Sequence, residues 1–150
     1  MILDDRFTRG LLAGVLGGIP ALVWGLLSKY VLRFTDMLFL EFAAILVYGK
    51  PAVTLADRVF AQVVVFAFYG ICGILFVFLV PYITSKNLVL KGFIWGAFIW
   101  FFSYMVTFLF KVPGLLNMNL STSVSQLIGG VVWGVFLAIV LQYFDKRVKS

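Results

Sequence analysis

The chain has 150 residues, 63% of them hydrophobic and only 12% charged, with a mean hydropathy of +1.11; an ordinary soluble domain carries about 25% charged residues, so a water-soluble fold could not cover this much apolar surface. Twelve Lys and Arg against six Asp and Glu leave a net charge of +6. The basic residues fall in short segments between apolar runs, with no phosphate-tracking stripe, which argues against nucleic acid and for orientation in a membrane with contact to its lipids. There is no His and one Cys, Cys72, so imidazole haem or metal ligation, His general bases, intrachain disulfides and thiolate clusters are all excluded, and no cofactor or metal is expected.

Apolar runs long enough for a hydrocarbon core of about 30 Å predict an all-α fold, a polytopic membrane four-helix bundle in a single transmembrane domain over 1–150. Its spans lie near 10–30, 56–80, 89–110 and 123–144. The leader before the first span mixes Asp4 and Asp5 with Arg6 and Arg9, and no small-x-small cleavage signal with a polar mature start follows, so the span is expected to be retained. Within it, Pro20, two residues after the Gly17-Gly18 pair, removes an amide donor and crowds the carbonyl of Leu16, which predicts a kink.

The segment 34–58 is not settled by hydropathy. Thr35-Asp36 can start a short helix near 36–48, and Gly49 before Pro51 can end it. About 13 residues reach only about 20 Å, too short to cross unaided. Met37, Phe39, Phe42 and Ile45 are too apolar for water, while Glu41 is too costly against lipid tails. Three readings stay open: an interfacial helix with Glu41 toward headgroups, a re-entrant half-helix with Glu41 paired to a base such as Lys29 or Arg33, or a short fifth span.

Thr54 and Asp57 form a capping-box-like pair at the second span, which Pro81 stops. Lys111, Pro113 and Gly114 mark the end of the third, and Ser123 with Gln126 repeat the capping device at the fourth. Counting Lys and Arg in the connections puts seven on the side holding both termini and five on the other, so the positive-inside rule places both termini in the cytoplasm.

Glycines at four-residue spacing, Gly10-x3-Gly14-x3-Gly18, Gly92-x3-Gly96 and Gly130-x3-Gly134, put hydrogen side chains on single helix faces. Such faces let backbones approach, within the monomer or between subunits, where lipid solvates Leu as well as a neighbouring helix does. Aromatic-glycine pairs recur at Trp24-Gly25, Tyr69-Gly70, Trp95-Gly96 and Trp133-Gly134. Gln62 and Gln126 each stand eight residues before a glycine of that series, as in a duplicated helical hairpin.

No span holds a charge at its centre, which argues against a proton-coupled pump. Gln62 and Gln126 are expected at the same level, hydrogen-bonded to each other or, with Glu41, lining a small polar cavity beneath the 34–58 segment. The acids Asp36, Glu41 and Asp57 share one loop with no serine elbow, and no phosphate loop follows a strand, so no catalytic residue is assigned and an enzyme is not expected.

By layout the chain resembles the YqhR-like family, small four-span bacterial membrane proteins. The resemblance lies in Phe34-Thr35-Asp36 after the first span, Gly92-Phe93-Ile94-Trp95-Gly96 in the third, Lys111-Val112-Pro113, and Gly130 through Phe136 in the fourth. The chain departs from that family in a longer, more hydrophobic 37–49 segment. The resemblance implies a bacterial inner membrane and no particular reaction or ligand. The expected role is that of an accessory or scaffold protein acting through lipid or protein contacts, with itself or another membrane protein. The competing expectation is an oligomeric small-solute transporter or channel.

Overall fold

The computed structural model describes residues 2–83 and 86–150, which are helical with no strand among them. The long helices are α1 (Arg6–Leu26), α3 (Leu55–Leu79), α4 (Leu88–Leu109) and α5 (Leu120–Lys149), and α2 (Phe39–Tyr48) is a short helix in the first connection. With the turns that extend them, four segments are long and apolar enough to cross a membrane: Arg6–Val31, Leu55–Tyr82, Leu88–Leu109 and Leu120–Lys149. Their outward faces carry Val63, Ile71, Phe78, Ile94, Phe101 and Ile139, all exposed. Where the surrounding solvent is lipid, such faces cost nothing, and every backbone group must be satisfied inside the helix.

Each helix begins where a side chain takes up free amides. Asp5 accepts from the Phe7 and Thr8 amides at 3.3 and 2.9 Å and from the Thr8 hydroxyl at 2.7 Å. Those bonds hold its carboxyl below the ordinary range, the Thr8 hydroxyl contributing most. Thr54 and Asp57 form the expected reciprocal box, with the Asp57 amide donating to Thr54 Oγ1 and the Thr54 amide to Asp57 Oδ2, both at 3.1 Å. Asn87 caps α4 by accepting from the Leu90 amide at 3.0 Å. The fourth span differs from expectation. Asn119, not Ser123, is its cap, accepting from the Thr122 amide at 2.9 Å, so α5 starts a turn early and the Gln126 side chain is released for a tertiary contact.

Pro20 lies inside α1, which continues as an α-helix to Leu26, and a π-turn follows at Leu27–Val31, where the Leu32 amide reaches the Leu27 carbonyl at 2.9 Å. The expected start of α2 at Thr35-Asp36 also moves. Residues 34–38 stay non-helical because Thr35 and Asp36 bond to the start of α5, and α2 begins at Phe39.

α1 sits between α3 and α5, and α4 packs on the far side of α5, while α3 and α4 barely touch. Glycine makes this possible. A Cβ on Gly10 would lie 2.9 Å from the Gly73 oxygen, and one on Gly14 would strike the Tyr69 carbonyl. On the other pair, Gly92 faces Gly134 and Gly96 faces Gly130, each against backbone. Gly18, by contrast, meets the rings of Phe66 and Tyr69. By contacts the partner of Gly134 in the first hairpin is Gly73, since these two face Gly92 and Gly10. Eight residues before Gly73 stands Val65, so the glycine contacts and the Gln62/Gln126 spacing define different registers.

Arg9 of α1 pairs with Asp145 of α5 at the end that holds both termini. The opposite end holds α2, whose ten residues span about 15 Å. Phe42 and Ala44 on α2 are fully buried and Ile45 nearly so, so α2 is part of the core.

Candidate functional site

The polar residues of the spans gather at the α2 end, around the first turns of α5. The π-turn of α1 presents Ser28, fully buried, to Ser125 with 2.6 Å between hydroxyl oxygens, and one turn earlier the Trp24 indole donates to the Ser125 carbonyl at 2.9 Å. The extra residue in a π-turn rotates the chain beyond it to a new facing. Past that turn, Thr35 Oγ1 lies 3.2 Å from Thr122 Oγ1, and Asn119 Nδ2 donates to Asp36 Oδ2 at 2.9 Å.

Glu41 takes the first turn of α2, where its Oε2 accepts from the Leu38 amide at 2.7 Å. The same carboxylate binds Lys29 Nζ at 2.8 and 2.7 Å through its two oxygens, and an Arg58 nitrogen lies 3.9 Å from Oε1. Lys29 and Glu41 side chains are only 19% and 15% exposed, so this pair works in a lower dielectric than a surface bridge. Of the two bases expected as partners, Lys29 makes the pair. Arg58 joins it from α3, so one carboxylate ties α1, α2 and α3 together.

An aromatic ribbon holds α2 in place. Trp133 stacks on Tyr69 at 5.0 Å, Tyr69 on Phe39 at 6.0 Å, Phe39 on Phe42 at 5.4 Å and Phe42 on Tyr104 at 5.6 Å, and Trp100 tilts against Tyr104 at 4.9 Å. Phe39 and Phe42 are thus the wedge between α3 and α4. Trp133 also donates to the Gly14 carbonyl at 2.9 Å, and Trp95 to the Cys72 carbonyl at 3.2 Å. The Trp100 indole N–H is buried with no acceptor among the described residues.

Gln62 and Gln126 do not meet. Gln126 Oε1 accepts from the Tyr104 hydroxyl at 2.8 Å and its Nε2 lies 3.4 Å from the Met37 carbonyl. It lines a recess of about 40 Å3 with Trp24, Trp100, Ser103, Ser125 and Trp133. Gln62 lines a separate recess of about 30 Å3 on α3, and the two recesses share Ala21, Gly25, Leu38, Phe39 and Tyr69 as a wall. Glu41 borders neither, being engaged by Lys29 and the Leu38 amide. The expected cavity is therefore two small ones divided by the start of α2.

Two larger recesses open sideways between α3 and α4. One of about 240 Å3 lies against α2 (Phe42, Leu46, Val64, Phe68, Phe102, Val106), and one of about 450 Å3 lies at the termini end. A family model matches residues 5–150. The chain belongs to the DUF6789 family. DUF6789 is a family of unknown function, and no curated protein or solved structure matches the chain. For this DUF6789 chain the roles of the site residues rest on geometry alone. Ser28 and Tyr104 are legible in the sequence as polar residues of the apolar runs, whereas Ser125 and the approach of Arg58 to Glu41 are not, because both depend on how the helices are turned toward one another.

Proposed function

We propose that this DUF6789 protein is a membrane-embedded accessory or scaffold protein that acts through contacts with lipids or with protein helices, itself included. The observation that carries the reading is the size and position of its cavities. The interior recesses, of about 40 and 30 Å3, have room for a few waters. Of the larger recesses, two open laterally on apolar outer faces between α3 and α4, and a third of about 380 Å3 lies between α4 and the 115–123 segment, where Tyr104, Thr107 and Ser123 add polar groups to an otherwise apolar lining. A solute path needs a continuous polar lining, whereas a contact protein needs shaped outer faces and a rigid interior. The seven-to-five bias in Lys and Arg supports both termini in the cytoplasm, and the resemblance to YqhR-like proteins supports a bacterial inner membrane. Kinship to YqhR-like proteins belongs to the same proposal.

The test is reconstitution of the purified full chain into liposomes at known copy number. Tight vesicles, together with a membrane protein recovered stoichiometrically by cross-linking in the native membrane, are expected. Saturable flux of an ion or small solute, with particles of several subunits in lipid, would favour the transporter and overturn the scaffold reading.

A further inference from the structure

The recess between α3 and α4 at the termini end is apolar in its walls and cationic at its mouth. Phe76 and Leu79 of α3 face Leu90, Ile94, Trp95 and Phe98 of α4 around about 450 Å3. Its floor is fixed, because the Trp95 indole donates to the Cys72 carbonyl at 3.2 Å and its ring tilts against Phe76 at 6.1 Å. Lys91 lines the same recess, its ammonium donating to the carbonyl of Ile83 at 2.9 Å and more weakly to that of Val80 at 3.4 Å. These carbonyls anchor the amine without neutralising it, and no carboxylate pairs with it among the described residues. Tyr82, largely exposed, stands at the same rim. From Lys91 to Phe98 is about 10 Å along α4, so the recess runs from headgroup level into the acyl region.

We propose that this recess is the seat of one anionic phospholipid, with an acyl chain between α3 and α4 and its phosphate at Lys91. The inference rests on the proposed membrane placement. Charge decides the occupant. The termini end carries seven basic residues against Asp4, Asp5 and Asp145, and an anionic headgroup relieves that excess. A second copy of the chain docking through the same face would bring another Lys91 toward the first. The neutral walls select a chain of methylenes, and the cation selects the headgroup.

Native mass spectrometry of the full chain, titrated with phosphatidylglycerol or phosphatidylcholine of identical acyl chains, tests this. The wild type should hold one phosphatidylglycerol about fivefold more tightly than phosphatidylcholine. Lys91→Gln should bring the two lipids close to parity, and Lys91→Arg should keep the preference. Ile94→Trp, which adds a ring inside the recess, should weaken both lipids, and Lys111→Gln at the opposite end should change neither. Equal affinities in the wild type, a preference that survives Lys91→Gln, or indifference to Ile94→Trp would overturn the proposal. Alkaline extraction of membranes is run beside it. A chain that stays in the pellet but shows no lipid preference refutes the lipid seat alone, and a chain released to the supernatant refutes the membrane placement as well.

Discussion

Replacing Gly96 by Ala should loosen the α4–α5 pair, as the matching changes at Gly92 and Gly134 on the same seam should. The added Cβ would stand 2.9 Å from the carbonyl carbon of Gly130 and 3.2 Å from Cα of Val131, and nearer still to the Gly130 oxygen. Ordinary carbon–carbon contact begins near 3.5 Å, so the helices must part by about 0.6 Å or more. Backbone cannot rotate aside as a flexible side chain would. Parting the helices there also weakens the contact of Gly92 with Gly134 on the same seam. Overpacking of this kind costs about 1 to 3 kcal/mol, offset by up to about 1 kcal/mol from replacing a helical Gly. Those figures bound the net loss between about 0 and 3 kcal/mol, with a centre at about 1 to 2 kcal/mol. Gly129→Ala is the control, because its Cβ meets only Trp24 Cδ1 at 3.4 Å, and with the same propensity gain unopposed it should be as stable as wild type or up to about 1 kcal/mol more stable. Unfolding of the three proteins, followed by circular dichroism in one detergent with increasing SDS, ranks them. If Gly96→Ala proves as stable as Gly129→Ala, the close backbone packing of α4 on α5 is not what holds the second hairpin.

Three further perturbations probe the α2 end and the first helix cap. A double-mutant cycle of Lys29→Met and Glu41→Gln should give a coupling of about 1 to 2 kcal/mol, above the range of exposed pairs, because both side chains are mostly buried; a coupling near zero would remove the bridge as a tie between α1 and α2. Phe42→Ala empties a fully buried position between Phe39 and Tyr104, a change that costs about 3 to 5 kcal/mol in soluble cores. Amide exchange across 39–48 should rise well before that of α3 or α5, and unchanged exchange there would contradict the wedge. At the N-terminus, the Asp5 carboxyl is depressed by Thr8, so its stabilisation is complete above the unfolded pKa and disappears as pH falls through the lower folded value. The stability gap between wild type and Asp5→Ala should therefore be constant near neutrality and close in acid, and a gap that persists there would mean that the cap does not act through its charge.

The four spans were legible because each is a long apolar run, and the Thr54–Asp57 box because both partners lie within one turn. The cap of α5 was not. Ser123 and Gln126 fit the local pattern as well as Asn119 does, and the choice falls to Asn119 because Gln126 gains Tyr104 from α4, a partner 22 residues away. Pairing Gln62 with Gln126 failed for a related reason. Height in the membrane follows from position along a helix, whereas facing depends on rotation about its axis, and the start of α2 lies between the two recesses.

Composition and period alone determined that this chain makes apolar helices with small-residue faces, since burial in lipid depends on length and hydropathy before it depends on neighbours. Only the tertiary structure decided what the 34–58 segment does. Glu41 has Lys29 and Arg33 within reach in sequence, and the π-turn at Leu27–Val31 places Lys29 against it while Arg58 approaches from another helix. Phe39 and Phe42 are equally apolar whether they face headgroups or core, and they insert because α3 and α4, held apart by their separate glycine seams, leave a gap that two rings fill.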